Sequence, residues 1–216
     1  MMRNLNTAKM TGTIQSEVEF NHKCKEEQFY MFILEIERKS GVIDKVPVMI
    51  SERMIEISKL TIESIIHIEG DIRTYNQHDQ QGKSHLCVYI FANKIEFVNK
   101  DEYYPQNIVE FEGYLIKQPV FRMTPLGREI CDAVIASNRG YKKSSYIPCI
   151  FWSRNARYLS KREGGTKVHL KGRFQSRKYL RSEDVGTENY RTAYEVSSFW
   201  MTVLDISENG LEAEEE

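Results

Sequence analysis

The sequence predicts an all-β chain made of two copies of one five-stranded unit. Three observations carry this. Segments of alternating apolar and polar residues recur along the chain, the clearest being KVHLKGRFQSRKY at 167–179. A period of two places successive side chains on opposite faces of a strand. The two halves also overlay: Gly12 falls on Gly113, Pro47 on Pro148 and Gly70 on Gly172, at an offset of 101 or 102. One offset held at three separated landmarks marks an internal duplication. Finally, Ser40-Gly41, Gln81-Gly82, Leu126-Gly127 and Arg139-Gly140 stand where hairpins need a turn residue.

In the first copy, strands are predicted over residues 9–20, 28–38, 45–51, 65–76 and 85–98. A helix-like segment, 52–64, separates the third from the fourth. The second copy repeats the order over 108–123, 128–138, 145–152, 167–179 and 191–204. Its helix-like segment, 153–163, is closed by Gly164-Gly165. Gly70 and Gly172 lie inside strands and predict bulges or bends of the kind barrel closure needs. Five strands with a helix between the third and fourth is the order of the OB-fold, a small, partly open barrel. The expected architecture is therefore two tandem five-stranded OB-fold barrels, over residues 1–100 and 107–206. The linker NKDEYYPQ at 99–106 is too short to let them move freely. Residues 207–216 are acidic and poor in apolar groups, and are predicted to be disordered.

Composition narrows the function. No apolar run approaches the ~18 residues a membrane helix needs, and the N-terminus lacks the apolar stretch of a signal peptide, so a cytoplasmic protein is expected. The four cysteines form no CxxC pair and the five histidines lack ligand spacing, so neither metal nor cofactor is expected. Cys131 and Cys149 lie in apolar runs and read as buried thiols. The net charge of −1 conceals an asymmetry. Residues 105–205 carry 17 basic and 10 acidic side chains, against 13 and 16 in residues 1–104 and none and 5 in residues 206–216. A basic second copy suits a polyanion, though sign alone does not separate nucleic acid from a membrane surface or an acidic protein.

Candidate contacts concentrate in that copy. The outward set of 167–179 is Lys167, His169, Lys171, Arg173, Gln175, Arg177 and Tyr179, with no carboxylate among them; Lys178 adds a further cation. The third strand directs Ile147, Cys149 and Phe151 to the core and leaves Tyr146, Pro148, Ile150 and Trp152 on the other face. The loop before it interleaves Tyr141 with Arg139, Lys142 and Lys143. Aromatic rings stack on bases at roughly 1–3 kcal/mol each and cations track phosphates, which suits a single strand. Simpler readings stand beside this one. Tyr146 and Tyr179 also suit the rim of an oligomer interface, Trp152 a cap on the core, and Arg122 a pair with Glu129. Phe151, Phe174 and Phe199 are assigned to the core.

The run NIVEFEGYLIKQPVFRMTPLGREI, then SSYIPCIFWSRNARYLSKREGGTKVHLKGRFQSRKY, then RTAYEV, resembles the bacterial single-stranded DNA-binding protein family. That family has a Gly-containing first strand, a P-V/E-x-R-x-T-P-x-G hairpin, an aromatic-led third strand and a G-x-x-x-x-R-x-Y/W strand. The resemblance places the family's stacking rings on Tyr141, Tyr146, Trp152 and Tyr179, and its hairpin arginine on Arg122. Ser153 stands where the family usually has Gly. The resemblance implies a non-enzymatic binder of single-stranded DNA in replication, recombination or repair. It also implies a homodimer that brings four OB units together, and an acidic tail that recruits replication and repair proteins; the family's apolar tail tip is missing from ENGLEAEEE.

The first copy keeps less of this chemistry. Lys45, Pro47, Met49 and Ser51 replace Tyr146, Pro148, Ile150 and Trp152, and Glu69 and Asp71 replace Lys171 and Arg173. Arg73, Tyr75 and Lys83 remain for weak strand contacts, and the first copy is expected to serve mainly assembly. Rival readings are a single-stranded RNA binder, since stacking and charge do not read the 2′-OH, and an assembly protein of a replication-initiation complex. An OB-fold nuclease is disfavoured, because the cationic copy has no clustered carboxylates for metal ions.

Overall fold

The structure is a computed structural model that describes residues 5–78, 82, 84–140, 143–179 and 190–204. Among these residues, ten strands close into two five-stranded rings. In the first, β1 (Asn6–Ile14), β3 (Glu27–Glu37), β4 (Ile43–Ser51), β6 (Ser84–Phe97) and β5 (Ile65–His78) follow edge to edge, with β5 pairing back onto β1. The second repeats this with β7 (Gln106–Leu115), β9 (Glu129–Gly140), β10 (Lys143–Trp152), β12 (Arg191–Val203) and β11 (Lys167–Tyr179). In each ring one pair is parallel, β4–β6 and β10–β12, and the rest are antiparallel. Two further short strands, β2 (Glu19–Cys24) and β8 (Val120–Met123), lie as hairpins on β3 and β9.

The landmarks of the duplication have one physical cause in both copies. At Gly12 and Gly113 the first strand crosses the second, and a Cβ there would fall under 3 Å from the carbonyl of Glu35 or Ala136. At Gly70 and Gly172 the register shifts by a bulge, and a Cβ would strike the carbonyl of Phe91 or Ser197. The predicted bends at these two glycines are thus observed. The interiors fill with alternate residues of each strand, among them Met10, Phe32, Leu34, Val48, Ile68 and Ile90 in the first ring. Phe111, Ile135, Ile147, Phe151, Leu170 and Phe174 do the same in the second. Each contributes about 1.5–3 kcal/mol on burial. Cys131 and Cys149 are buried as expected, and burial raises both thiol pKa values, that of Cys131 to about 11.

Four expectations change. The first predicted strand of each copy breaks in two: β1 ends at Ile14 and β7 at Leu115, and the remainder turns away to form β2 and β8. In the second copy Pro119, which has no N–H for a ladder, marks the break. Segment 52–64 forms only a 3-10 turn at Ile57–Lys59, whereas Ser153–Leu159 is a helix, α1. The first segment carries the β-branched Ile55, Ile57, Thr61 and Ile62 and ends at Glu63 with φ +71°; the second carries Ala156, Arg157 and Leu159, better helix formers. Phe199 is 61% exposed and not in the core. Across the bulge, Lys171 pairs with Trp200 but Gly172 with Ser198, so Phe199 is the extra residue and turns outward. Ile150, assigned to the outer face, is buried.

The short linker, which includes a 3-10 turn at Lys100–Glu102, joins units that share a sheet. β1 pairs antiparallel with β7 from Asn6 opposite Phe111 to Thr11 opposite Gln106. A pseudo-two-fold relates the contacts across this seam. The Tyr146 N–H donates to Thr74 Oγ1 at 2.8 Å, and its counterpart, the Lys45 N–H, donates to Ser176 Oγ at 3.0 Å. Asn6 bonds both backbone groups of Ile72 (2.9 and 3.0 Å) as Asn107 bonds those of Phe174 (2.7 and 2.9 Å). Among the described residues, no helix is long and apolar enough to cross a membrane.

Candidate nucleic-acid interface

The cationic face of β11 divides at its bulge. Before it, Lys167 pairs with Glu112 at 3.0 Å, and His169 and Lys171 meet Glu110 at 2.8 and 3.2 Å. The strand itself carries no carboxylate, but its neighbour β7 supplies two. Burial pushes the Glu110 carboxyl up, yet hydrogen bonds from His169 and Lys171 pull harder and hold it below its ordinary 4.5. The first copy has the same pair with charges exchanged, Lys9 with Glu69.

Beyond the bulge the face opens into a cleft of about 560 Å³ at the seam. Arg173 and Arg177 of β11, Trp152 of β10, Phe199 of β12, Arg128 before β9 and Arg38 of the first unit line it. Arg173 is half-buried, and among the described residues its Nε has no hydrogen-bond partner. Burial lowers its pKa, and Arg38 lowers it further against the opposing pull of Asp44. The Trp152 indole donates to Ser197 Oγ at 2.9 Å, which fixes the half-buried ring at the edge of the cleft. The helix α1 starts at once behind it, with Ser153 at φ +49°, in the left-handed region that favours glycine. A second cavity of about 390 Å³ lies behind Arg173, beside Asp44 and Asn107.

Arg177 is half-exposed, 3.6 Å from Glu195 and with its guanidinium 5.8 Å from the Tyr179 ring. Lys143 and Lys178 are exposed. Tyr146 is 49% exposed and stands where β10 meets β5. There its N–H bonds Thr74, which lies between Arg73 and Tyr75 in the first copy, and Arg139 hydrogen-bonds Tyr89. Arg73 lies 3.5 Å over the Phe91 ring and pairs with Asp71 at 3.1 Å. Arg122 does form an ion pair, but with Asp132 across the hairpin; Glu129 is taken by Arg157. Tyr141, Lys142, Lys83 and the tail 207–216 lie outside the described residues.

Sequence overlay missed three contributors. Arg38 belongs to the first copy and enters the cleft only through the seam. Phe199 was hidden by the bulge. Phe91 was hidden by a strand exchange: it pairs with Asp71 and Met49 where Ser197 pairs with Arg173 and Ile150. The second unit thus places Trp152 beside Ser197, and the first places Phe91 beside Phe29, with ring centroids 5.9 Å apart. A ring stands at the related spot in both units, delivered by different strands.

The architecture and its cleft define a class: a mostly β protein whose strands pair into two five-stranded rings, with arginines and half-exposed aromatic side chains at the seam. The wild-type single-stranded DNA-binding protein of Thermus aquaticus shares the fold with a TM-score of 0.73 at 19% identity, over 94% of this chain and 95% of that one. A deletion mutant of the same protein gives 0.71 over 94% and 96%. Residues 106–202 match the single-strand binding protein family. Two single-stranded DNA-binding proteins of Staphylococcus aureus are each 34% identical over 87 residues, 36% of this chain and 50% of theirs. The chain spans about half the length of these curated relatives. Over its second unit, the chain is similar to the single-strand binding protein family.

Proposed function

We propose that the protein binds single-stranded DNA with little sequence preference, without catalysis, in replication, recombination or repair. The observation that carries this is the seam cleft, in which Arg128, Arg173 and Arg177 surround Trp152 and Phe199 within a matched family segment. Rings supply sequence-tolerant stacking and arginines neutralise phosphates. Both rings of strands are OB-fold units in this reading. The second, 107–206, holds the strand with Tyr146, Trp152, Tyr179 and the outlying Tyr141. Arg139, Lys142, Lys143, Arg173, Arg177 and Lys178 meet phosphates, while Arg122 and Lys171 do so by exchanging Asp132 and Glu110 for one. The first unit, 1–100, serves mainly assembly, and Arg73, Tyr75 and Lys83 add weak contacts. Two chains pair into a homodimer with four units, acting in the cytoplasm on nucleoid DNA, with the acidic tail competing with the strand for the basic face.

The test is a salt titration of binding to oligo-dT of about 30 nucleotides, with duplex of equal length as control. Trp200 is also exposed, so the assay uses W200F to assign quenching to Trp152. Each phosphate neutralised contributes about −0.7 to the log–log salt slope, so the six cations assigned directly to phosphates predict about −4, and a slope of about −3 or steeper is expected. Quenching, that slope and weak duplex binding support the reading. No quenching with equal duplex affinity overturns it.

A further inference from the structure

The pseudo-two-fold between the units fails at one buried corner. In the first unit, Asp44 stands opposite Ile36 on β3, two residues before Arg38. Its fully buried carboxylate accepts from Arg38 at 2.5 and 2.7 Å and lies 3.3 Å from Asn107 Nδ2. The related positions of the second unit are Ser145, Ser137 and Arg139, with Ser145 opposite Ser137 on β9. An isoleucine and an aspartate have become two serines, so the corner has lost both filling volume and its carboxylate. The arginine was kept. Ser137 and Ser145 are fully buried, and among the described residues neither hydroxyl has a hydrogen-bond partner; nor does Arg139 Nε.

Apart from Asp71, the other groups facing this corner are donors and cations. Asn6 holds the pose of Asn107, bonded to Ile72. Arg73 occupies the position of Gln175, whose amide oxygen lies 3.4 Å from Arg38. Its pKa is lowered first by burial and also by the charge of Arg139, so two guanidiniums stand close enough to repel. Asp71 faces the corner too, but it bonds Arg73 and Asn93. Tyr89 completes the wall through its bond with Arg139. Buried hydroxyls and a guanidinium N–H without acceptors are costly unless an acceptor meets them.

We propose that this corner seats one phosphate group, held by Arg139, Arg73 and the hydroxyls of Ser137 and Ser145, in the place that the Asp44 carboxylate takes in the first unit. Arg139 is only half-buried, so part of its side chain reaches solvent. The phosphate is either free inorganic phosphate or a backbone phosphate of a bound strand. The seat itself does not depend on the strand-binding reading.

The test compares unfolding midpoints in phosphate and in chloride at matched ionic strength, for the full chain and for S145D and R139A. S145D restores the carboxylate of the first unit. The wild type should be stabilised by phosphate along a saturating curve, with a tenfold rise in folding constant near nine times the dissociation constant. S145D should be more stable in chloride and lose the phosphate response, as should R139A. An equal response in all three proteins means a general salting effect and overturns the proposal. Should S145D fail to fold, S145A serves in its place, and its phosphate affinity should fall severalfold. An oligo-dT arm identifies the source. If the strand supplies the phosphate, free phosphate competes with oligo-dT, and S145D makes the salt slope shallower by about 0.7. If the phosphate is free, oligo-dT binding is unchanged in S145D while the phosphate response is lost. A phosphate response in a protein that binds no oligo-dT would leave the seat standing and remove the strand-binding reading.

Discussion

Replacing Asp44 by alanine should destabilise the fold and at the same time tighten its grip on a strand. The carboxylate is fully buried and accepts two hydrogen bonds from Arg38. Removing one partner of a buried ion pair costs about 3–5 kcal/mol, because the other charge is left uncompensated. The Arg38 side chain is 22% exposed and can turn towards the cleft to regain water. That places the cost in the lower range, about 2–4 kcal/mol. For a chain of this size each kcal/mol moves the melting temperature by about 2–4 °C, so a fall of about 5–15 °C is expected. Urea unfolding with an unchanged m-value checks it, and a double-mutant cycle with R38A isolates the pair at about 1–3 kcal/mol of coupling. The freed Arg38 also becomes a cation of the cleft, steepening the oligo-dT salt slope by about 0.7. A cost under about 1 kcal/mol with additive single mutants would falsify the account of the seam.

The other expectations can be checked with the same assays. W152A should weaken oligo-dT binding by about 1–3 kcal/mol and F199A by a similar amount, read by anisotropy, while the buried F174A should lower stability instead. Equal affinities for W152A and wild type would remove the cleft from the binding surface. G113A should cost about 1–3 kcal/mol, since its Cβ meets the Ala136 carbonyl at 2.5 Å, and G12A should behave alike in the first unit; tolerance of either change in thermal melts would contradict the crossing geometry. Glu110 has a folded pKa below its unfolded 4.5, so its contribution is present above that value and is lost as pH falls through the folded one. Stability should hold from neutrality to about pH 5 and decline below, with E110Q flattening that acid limb.

Much of the fold was legible because its causes are local. Alternation placed the strands, and it named Ile147, Cys149 and Phe151 as core correctly. The offset glycines and prolines exposed the duplication, because barrel crossings and bulges demand the same residue types twice. Segment 52–64 was misread for the opposite reason: its pattern suits a helix, but its β-branched residues and the positive φ of Glu63 do not.

The candidate site was legible in kind but not in membership. Trp152, Arg173 and Arg177 could be named from their strands, since a ring or cation on an outer face is visible in alternation. Phe199 could not, because a single bulged residue inverts the phase of every position after it. Nor could the pairing of Lys171 with Glu110, of Arg122 with Asp132, or the arrival of Arg38 in the cleft, since each partner comes from another strand or from the other unit. What the sequence determined alone was the repeat, the sign of its charge and the residue types available for binding. Which cations stay free to meet a phosphate was decided only by tertiary structure, because pairing depends on strand register and on the seam between the units, and neither is written in any one segment.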